Sequence, residues 1–171
     1  MHIKPETIER HTLSVTVDNE AGVLARIAGL FTARGYNIES LTVADVTEDE
    51  TISRITIVTS GTPEVIDQVV AQLDRLVPVH RVTDLTELGP HVERELALVK
   101  VAGTGEHRIE ALRLAEVYRA HVIDATTSSF IFEVTGGSEK IDKFLELMRE
   151  IGLVEVARTG VAAMARGKEA L

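Results

Sequence analysis

The residues with chemistry to offer are few and scattered. The six histidines (His2, His11, His80, His91, His107 and His121) include no pair three or four apart. The helical zinc arrangement, with two imidazoles on one face, is therefore absent. Cysteine does not occur. Its absence removes thiol nucleophiles, thiolate zinc, iron–sulfur ligation and disulfides together, and it fits a reducing cytoplasm. Gly103-Thr104-Gly105 follows an apolar run and opens a helical pattern, as a dinucleotide loop does. Arg108 stands where such a loop needs its third glycine for close packing of helix on strand. Neither a GxSxG elbow nor a Walker loop is present. Asp18 with Glu20, and Glu48-Asp49-Glu50, gather carboxylates at turns with no second group to complete an acid–base pair. The sequence presents no catalytic set; the histidines are either surface and strand-end residues or metal ligands assembled from distant positions.

A loop remains. Asp18-Asn19-Glu20-Ala21-Gly22-Val23-Leu24 leads from an alternating stretch straight into a helical pattern. The first N–H groups of a helix lack partners inside it, and that end attracts a carboxylate. Gly22 has no Cβ, so ligand atoms can approach the chain closely. Asn19 offers a donor and an acceptor, which suit the carboxylate and ammonium of an amino acid. Two readings follow. Either a small amino acid docks at this helix start, or Asp18 or Asn19 simply caps the helix while Gly22 eases the turn.

The elements that hold this loop occur twice. Residues 12–17 alternate polar and apolar, as a half-buried strand does. Val23, Ile27, Leu30 and Phe31 make a helix stripe that Gly35 ends. Residues 37–46 predict a second strand, and the turn Thr47-Glu48-Asp49-Glu50 leads to a third across 52–59. Thr62 caps and Pro63 opens a helix with its stripe at Ile66, Val69, Val70 and Leu73. Residues 77–85 predict a last strand, placed at a sheet edge by Pro78.

After Gly89-Pro90 the pattern restarts. Strands at 96–101, 122–126, 130–134 and 153–157 enclose two helices. The first carries Ala111, Leu114, Ala115 and Tyr118. The second is capped by Ser138, carries Ile141, Phe144, Leu145 and Met148, and stops at Gly152. The predicted fold class is α+β, two tandem ferredoxin-like β-α-β-β-α-β units, with domains at 10–86 and 92–171. The tail 158–171 does not fit the repeat, and residues 1–9 read as a loose arm before the first strand.

Composition narrows the partners. The 171 residues are 44% hydrophobic and 26% charged, and 27 acidic side chains against 18 basic give a net charge of −9. Such a surface repels phosphate backbones. With four Phe, two Tyr and no Trp, it offers no base-stacking platform. No run has the composition of a signal peptide or the length of a membrane span. Nucleic acid and membrane are therefore not expected partners.

The strings Asp18-Asn19-Glu20-Ala21-Gly22-Val23-Leu24-Ala25-Arg26-Ile27 and Arg34-Gly35-Tyr36-Asn37-Ile38-Glu39-Ser40-Leu41-Thr42-Val43 resemble an ACT domain. More narrowly, they resemble the regulatory (small) subunit of acetolactate synthase, also called acetohydroxyacid synthase. The runs His91-Val92-Glu93-Arg94-Glu95-Leu96-Ala97-Leu98-Val99-Lys100 and Ala157-Arg158-Thr159-Gly160-Val161-Ala162-Ala163-Met164-Ala165-Arg166-Gly167 resemble that family's second domain. The likeness extends over about residues 10–167.

The resemblance implies a non-catalytic subunit with no cofactor of its own. Its catalytic large subunit would carry thiamine diphosphate, magnesium and FAD and condense two pyruvates to acetolactate, toward valine, leucine and isoleucine. The small subunit would raise that activity and confer feedback inhibition by a branched-chain amino acid, valine foremost. The resemblance also implies a homodimer through the ACT edge strand, with the effector where two domains meet. Asn19, Ala21, Gly22, Val23 and Leu24 of one chain would touch it, with Asn37 and Ile38 of the other. Ala44 matches a position tied to effector response. Arg94, Lys100, Arg158 and Arg166 would either face the large subunit or remain solvated.

The predicted second strand bears on that dimer. Residues 37–46 hold neither Lys nor Pro, the usual guards of an open edge. Pairing with a twin chain would satisfy its ladder; the alternative is a short twisted edge left in water. Two other functions compete. A gene regulator would need a helix-turn-helix and a basic patch, and both repeats are already used. An enzyme on this scaffold would need the acid–base or metal set that is missing.

Overall fold

A computed structural model describes residues 6–171. Met1–Pro5, part of the expected arm, lie outside the described residues. Strand β1 already begins at Glu9 and runs to Asp18. Alternation gives it two buried sides: Leu13, Val15 and Val17 point one way, Thr12 and Ser14 the other. Helix α1 (Val23–Arg34) lays Val23, Ile27 and Phe31 on the first of these sides. Gly35 ends it in a left-handed conformation, its N–H donating to the Thr32 carbonyl at 3.3 Å.

Strands β2 (Ser40–Asp45) and β3 (Ile52–Gly61) follow as an antiparallel hairpin. Helix α2 (Pro63–Asp74) starts as expected, with Thr62 Oγ1 accepting from the Val65 N–H at 3.4 Å. It buries Ile66, Val69 and Leu73. Strand β4 (Val79–Asp84) completes a sheet ordered β2-β3-β1-β4, so β2 and β4 are its edges. Leu13, Val15, Ile55 and Ile57 meet Ile27, Phe31, Val69 and Leu73 in one core.

Several details differ from expectation in this half. The second strand starts at Ser40 rather than Asn37, because the Asn37 carbonyl accepts from Thr59 Oγ1 at 2.6 Å instead of joining the ladder. Val77 and Pro78 precede β4 rather than lie within it, and Val77 is almost wholly exposed. A short helix α3 (Leu85–Leu88) was not foreseen. Asp84 Oδ1 caps it by accepting from the N–H groups of Thr86 and Glu87.

The second unit repeats the plan. Strand β5 (His91–Ala102), helix α4 (Gly105–Val117), strands β6 (His121–Ala125) and β7 (Ser129–Gly136), helix α5 (Ser138–Ile151) and strand β8 (Leu153–Arg158) follow in order. The sheet path is β6-β7-β5-β8, the same permutation as in the first unit. Two tandem ferredoxin-like β-α-β-β-α-β units are thus present. Phe132 and Phe144 pack edge to face over 6.2 Å at the centre of this core. Ser138 does not cap α5; it is the first helical residue, and its hydroxyl donates to Glu95 Oε2 at 2.8 Å.

The tail has a place after all. One compact unit takes in the described residues up to Val92 together with Val161–Leu171, and the other is Glu93–Gly160. The expected second domain, 92–171, therefore loses its last segment to the first unit. Val161 is 2% exposed, and both its main-chain groups are bonded to side chains of β2. A short strand, β9 (Ala162–Ala165), follows. None of the described helices is long and apolar enough to cross a membrane.

Candidate functional site

The loop into α1 is held from three sides. The Asp18 N–H donates to the Pro78 carbonyl at 2.9 Å, and the Asn19 N–H donates to the Thr51 carbonyl at 2.8 Å. The Asn19 side-chain amide donates to the Glu50 carbonyl at 2.8 Å. One Asp18 carboxylate oxygen lies 2.5 Å from His80 Nε2. Neither Asp18 nor Asn19 caps the helix, while Gly22 eases the turn as the simpler reading expects. The capping position is Gly22, at φ 88° and ψ −6°, with no side-chain hydrogen bond to the first turn.

The result is an open helix N-terminus. No acidic residue occupies the first turn of α1, and Ala21, Gly22, Leu24 and Ala25 are exposed while Val23 anchors the turn in the core. A Cβ built on Gly22 meets nothing within 4 Å. Glycine is required there by the positive φ and not by crowding. The Val23 N–H is taken by the Glu20 carbonyl at 3.4 Å. The rest of the first turn has no side-chain cap, so a positive dipole end and free space lie together, which is the chemistry of a carboxylate site.

The acidic turn beside it is structural. Asp49 receives hydrogen bonds from Thr47 and Thr51, which hold its carboxyl below the usual range. It fixes the turn whose next residue, Glu50, presents its carbonyl to Asn19. Sequence reasoning missed Glu50, Thr51 and His80 as supports of the loop. The signal was available only through pairing, since β1 and β3 place Asp18 opposite Ile52.

The other expected residues stand apart. Asn37 follows the C-terminal end of α1, and a 12-residue helix is about 18 Å long. Asn37 and Ile38 therefore sit at the far end of α1 from Asn19 and Gly22 within one chain. Ala44 pairs with Arg54 and lies on the face of the sheet turned away from α1. The structure assembles Asn19 and residues 21–24 as one group and leaves Asn37, Ile38 and Ala44 outside it.

Two family models match the chain. The small subunit of acetolactate synthase matches residues 94–167, and the ACT domain of that small subunit matches residues 13–81. The chain belongs to the acetolactate synthase small subunit family. The probable acetolactate synthase small subunit of Archaeoglobus fulgidus is 48% identical over 160 residues, which is 94% of this chain and 99% of that protein. The acetolactate synthase isozyme 3 small subunit of Escherichia coli is 48% identical over 159 residues, covering 92% and 96%. Among solved structures, the acetolactate synthase small subunit of Thermotoga maritima superposes with a TM-score of 0.82 at 37% identity, over 94% of this chain and 99% of that one. The first unit is thus an ACT domain.

In this small-subunit chain the second-unit signature residues are largely engaged at home. Arg158 donates from Nε to Glu95 Oε1 at 2.6 Å, from Nη2 to Glu95 Oε2 at 2.9 Å and from Nη1 to Asp142 at 2.6 Å. Those carboxylates, Glu95 foremost, raise the guanidinium further above its ordinary range. Lys100 pairs with Glu155 at 2.7 Å and holds that carboxyl low. Arg94 donates to the Glu93 carbonyl at 2.6 Å, while Arg166 is exposed. Arg108, which broke the dinucleotide pattern, lies with its guanidinium carbon 4.0 Å from the centre of the Phe130 ring.

No group of three or more His, Asp or Glu side chains among the described residues converges as a metal-ligand set. A groove of about 680 Å³ runs along α2, β4 and α3, lined by Asp67, Asp74, Asp84 and Glu87 with Arg81. None of the expected effector residues lines it. Of the expected effector positions, those at the open end of α1 are the ones the fold gathers in one place.

Proposed function

We propose that this chain is the non-catalytic regulatory subunit of an acetolactate synthase. It raises the activity of the catalytic large subunit and makes it subject to feedback inhibition by a branched-chain amino acid, valine first. Thiamine diphosphate, magnesium and FAD belong to the large subunit, and the holoenzyme works in the cytoplasm. The observation that carries this reading is the uncapped, exposed start of α1 at Gly22, braced by Asn19. The amino acid's carboxylate docks on the first-turn N–H groups, and Asn19 Oδ1 receives its ammonium.

A second copy completes the pocket. Among the described residues strand β2 pairs only with β3, so its outer ladder is open, and Val43 is 45% exposed. Asp45, Ser53 and Val17 lie in one row across the sheet, so the end of β2 shares an edge with the start of the loop. Antiparallel pairing of β2 with its twin sets the partner's strand start beside that end. Asn37 and Ile38 of the second copy thereby arrive near Asn19 and Gly22.

Sedimentation equilibrium over a concentration series, with and without valine, leucine or isoleucine, tests this reading. An effector that needs both copies tightens the dimer by the factor that dimerisation tightens binding, about 5–150-fold for common couplings. Unchanged association with every one of the three amino acids contradicts it.

A further inference from the structure

The segment after β8 is fixed to the edge strand of the first unit as soon as it enters that unit. Val161 donates its N–H to Ser40 Oγ at 2.8 Å, and its carbonyl accepts from Thr42 Oγ1 at 3.1 Å. Ser40 and Thr42 are alternate residues of β2 and share the face turned away from α1. Further along, Arg54 Nη2, on the cross-strand partner of Ala44, donates to the Leu171 carbonyl at 3.4 Å. Underneath, Thr12, Ser14, Thr56 and Val58 are all buried. The segment is thus a strap across the back of the first sheet.

On the other side of Gly160 the chain is locked just as firmly. Thr159 donates its N–H to the Leu96 carbonyl at 3.0 Å, and Thr159 Oγ1 accepts from the Leu96 N–H at 3.1 Å. Thr159 belongs to the second unit and Val161 to the first. Only Gly160, at φ 86°, separates the two anchors. One residue of chain thus lies between an anchor on β2 and an anchor on β5.

We propose that Ser40 and Thr42, acting on Val161 and through Gly160 on Thr159, relay effector occupancy from β2 to the second unit. The inference rests on the reading that the effector contacts the start of β2. That strand is an edge, paired with β3 on one side and held on its back face by Val161, so a ligand seated on Asn37 and Ile38 acts at the start of the strand that carries both anchors. The two hydroxyls are positioning residues. They need not touch the ligand; they decide whether its presence is felt beyond the first unit.

The experiment uses the full chain reconstituted with its large subunit and valine, leucine and isoleucine as probes. Two variants are compared with the parent: Ser40→Ala with Thr42→Val, which removes both anchors, and a two-glycine insertion after Gly160, which keeps the anchors and adds slack. Calorimetric binding to the small subunit is measured first. The relay predicts affinity within about twofold of the parent in both variants, and a holoenzyme response to the amino acid compressed at least about fivefold. Hydrogen exchange at residues 159–165 should change on ligand addition in the parent and not in the double variant. A full inhibitory response in both variants overturns the relay. A response lost only in the double variant also overturns it, since the anchors would then act inside the first unit. Absence of binding by the parent overturns the effector reading itself and the relay with it.

Discussion

The side-chain amide of Asn19 donates to the main-chain carbonyl of Glu50 across 2.8 Å, joining the entry of α1 to the turn between β2 and β3. The loop is therefore braced before any ligand arrives, and the Asn19 oxygen remains for one. Asn19→Ala removes the brace at a cost of about 1 kcal/mol, read as a lower urea midpoint, and weakens amino-acid binding. Asn19→Asp sets a carboxylate against the Glu50 carbonyl and near the incoming ligand carboxylate. It should bind more weakly than Asn19→Ala, as titration calorimetry would show.

Gly22 separates strain from charge. Its φ of 88° penalises any side chain by about 1 kcal/mol, while the space around its absent Cβ is empty. Gly22→Ala should lower the melting temperature slightly and leave measurable effector binding. Gly22→Asp should be no less stable, because Asp tolerates this conformation better than Ala. Its carboxylate occupies the docking place of the ligand's own, so holoenzyme inhibition by valine should vanish in this variant alone. Parallel melting and inhibition curves on both variants check the pair of outcomes.

The pattern of apolar residues was enough for both repeats, because each buried face is written with the period of its element. Val23, Ile27 and Phe31 marked α1, and Gly35 its end. The same logic failed where side chains, not periodicity, decide. Thr59 draws the Asn37 carbonyl away from the ladder and shortens β2. Asp84 caps α3, a helix of one turn that leaves no stripe to read. Ala162–Ala165 has too little alternation to declare a strand, and its neighbour Val161 is fixed by two hydroxyls more than a hundred residues earlier. The loop of the candidate site was visible from Gly22 and Asn19. That Asn19 is held by Glu50, and Asp18 by His80, depends on the fold having formed.

His11 gives the first unit a pH dependence. Its ring lies 2.6 Å from Asp84 and 3.1 Å from Glu9. Burial opposes its charge, but the hydrogen bonds and charges of Glu9 and Asp84 prevail and raise its pKa above 6.5. A raised value in the folded state stabilises fully below 6.5, and that contribution is lost as pH climbs through the folded value. Urea midpoints should therefore fall as pH rises above about 6.5 in the parent. In His11→Gln that slope should flatten.

Arg158 is engaged within the second unit. Glu95 is buried with 4% of its side chain exposed, and Arg158 is its bidentate counter-ion. Arg158→Met takes the bidentate counter-charge from that carboxylate, which keeps the Ser138 hydroxyl, and should cost about 3 kcal/mol, the low end for breaking a buried pair, since a third of the guanidinium side chain is in water. Adding Glu95→Gln should recover part of the loss. Denaturant unfolding of the single and double variants measures both.

The most direct measurement is acetolactate formation from pyruvate by the large subunit, supplied with thiamine diphosphate, magnesium and FAD, with and without this chain, as valine, leucine or isoleucine is titrated. The account predicts no product from this chain alone, several-fold faster turnover when it joins the large subunit, and a fall in that rate as valine rises. An equal rate with and without the chain, unmoved by any of the three amino acids, would contradict it.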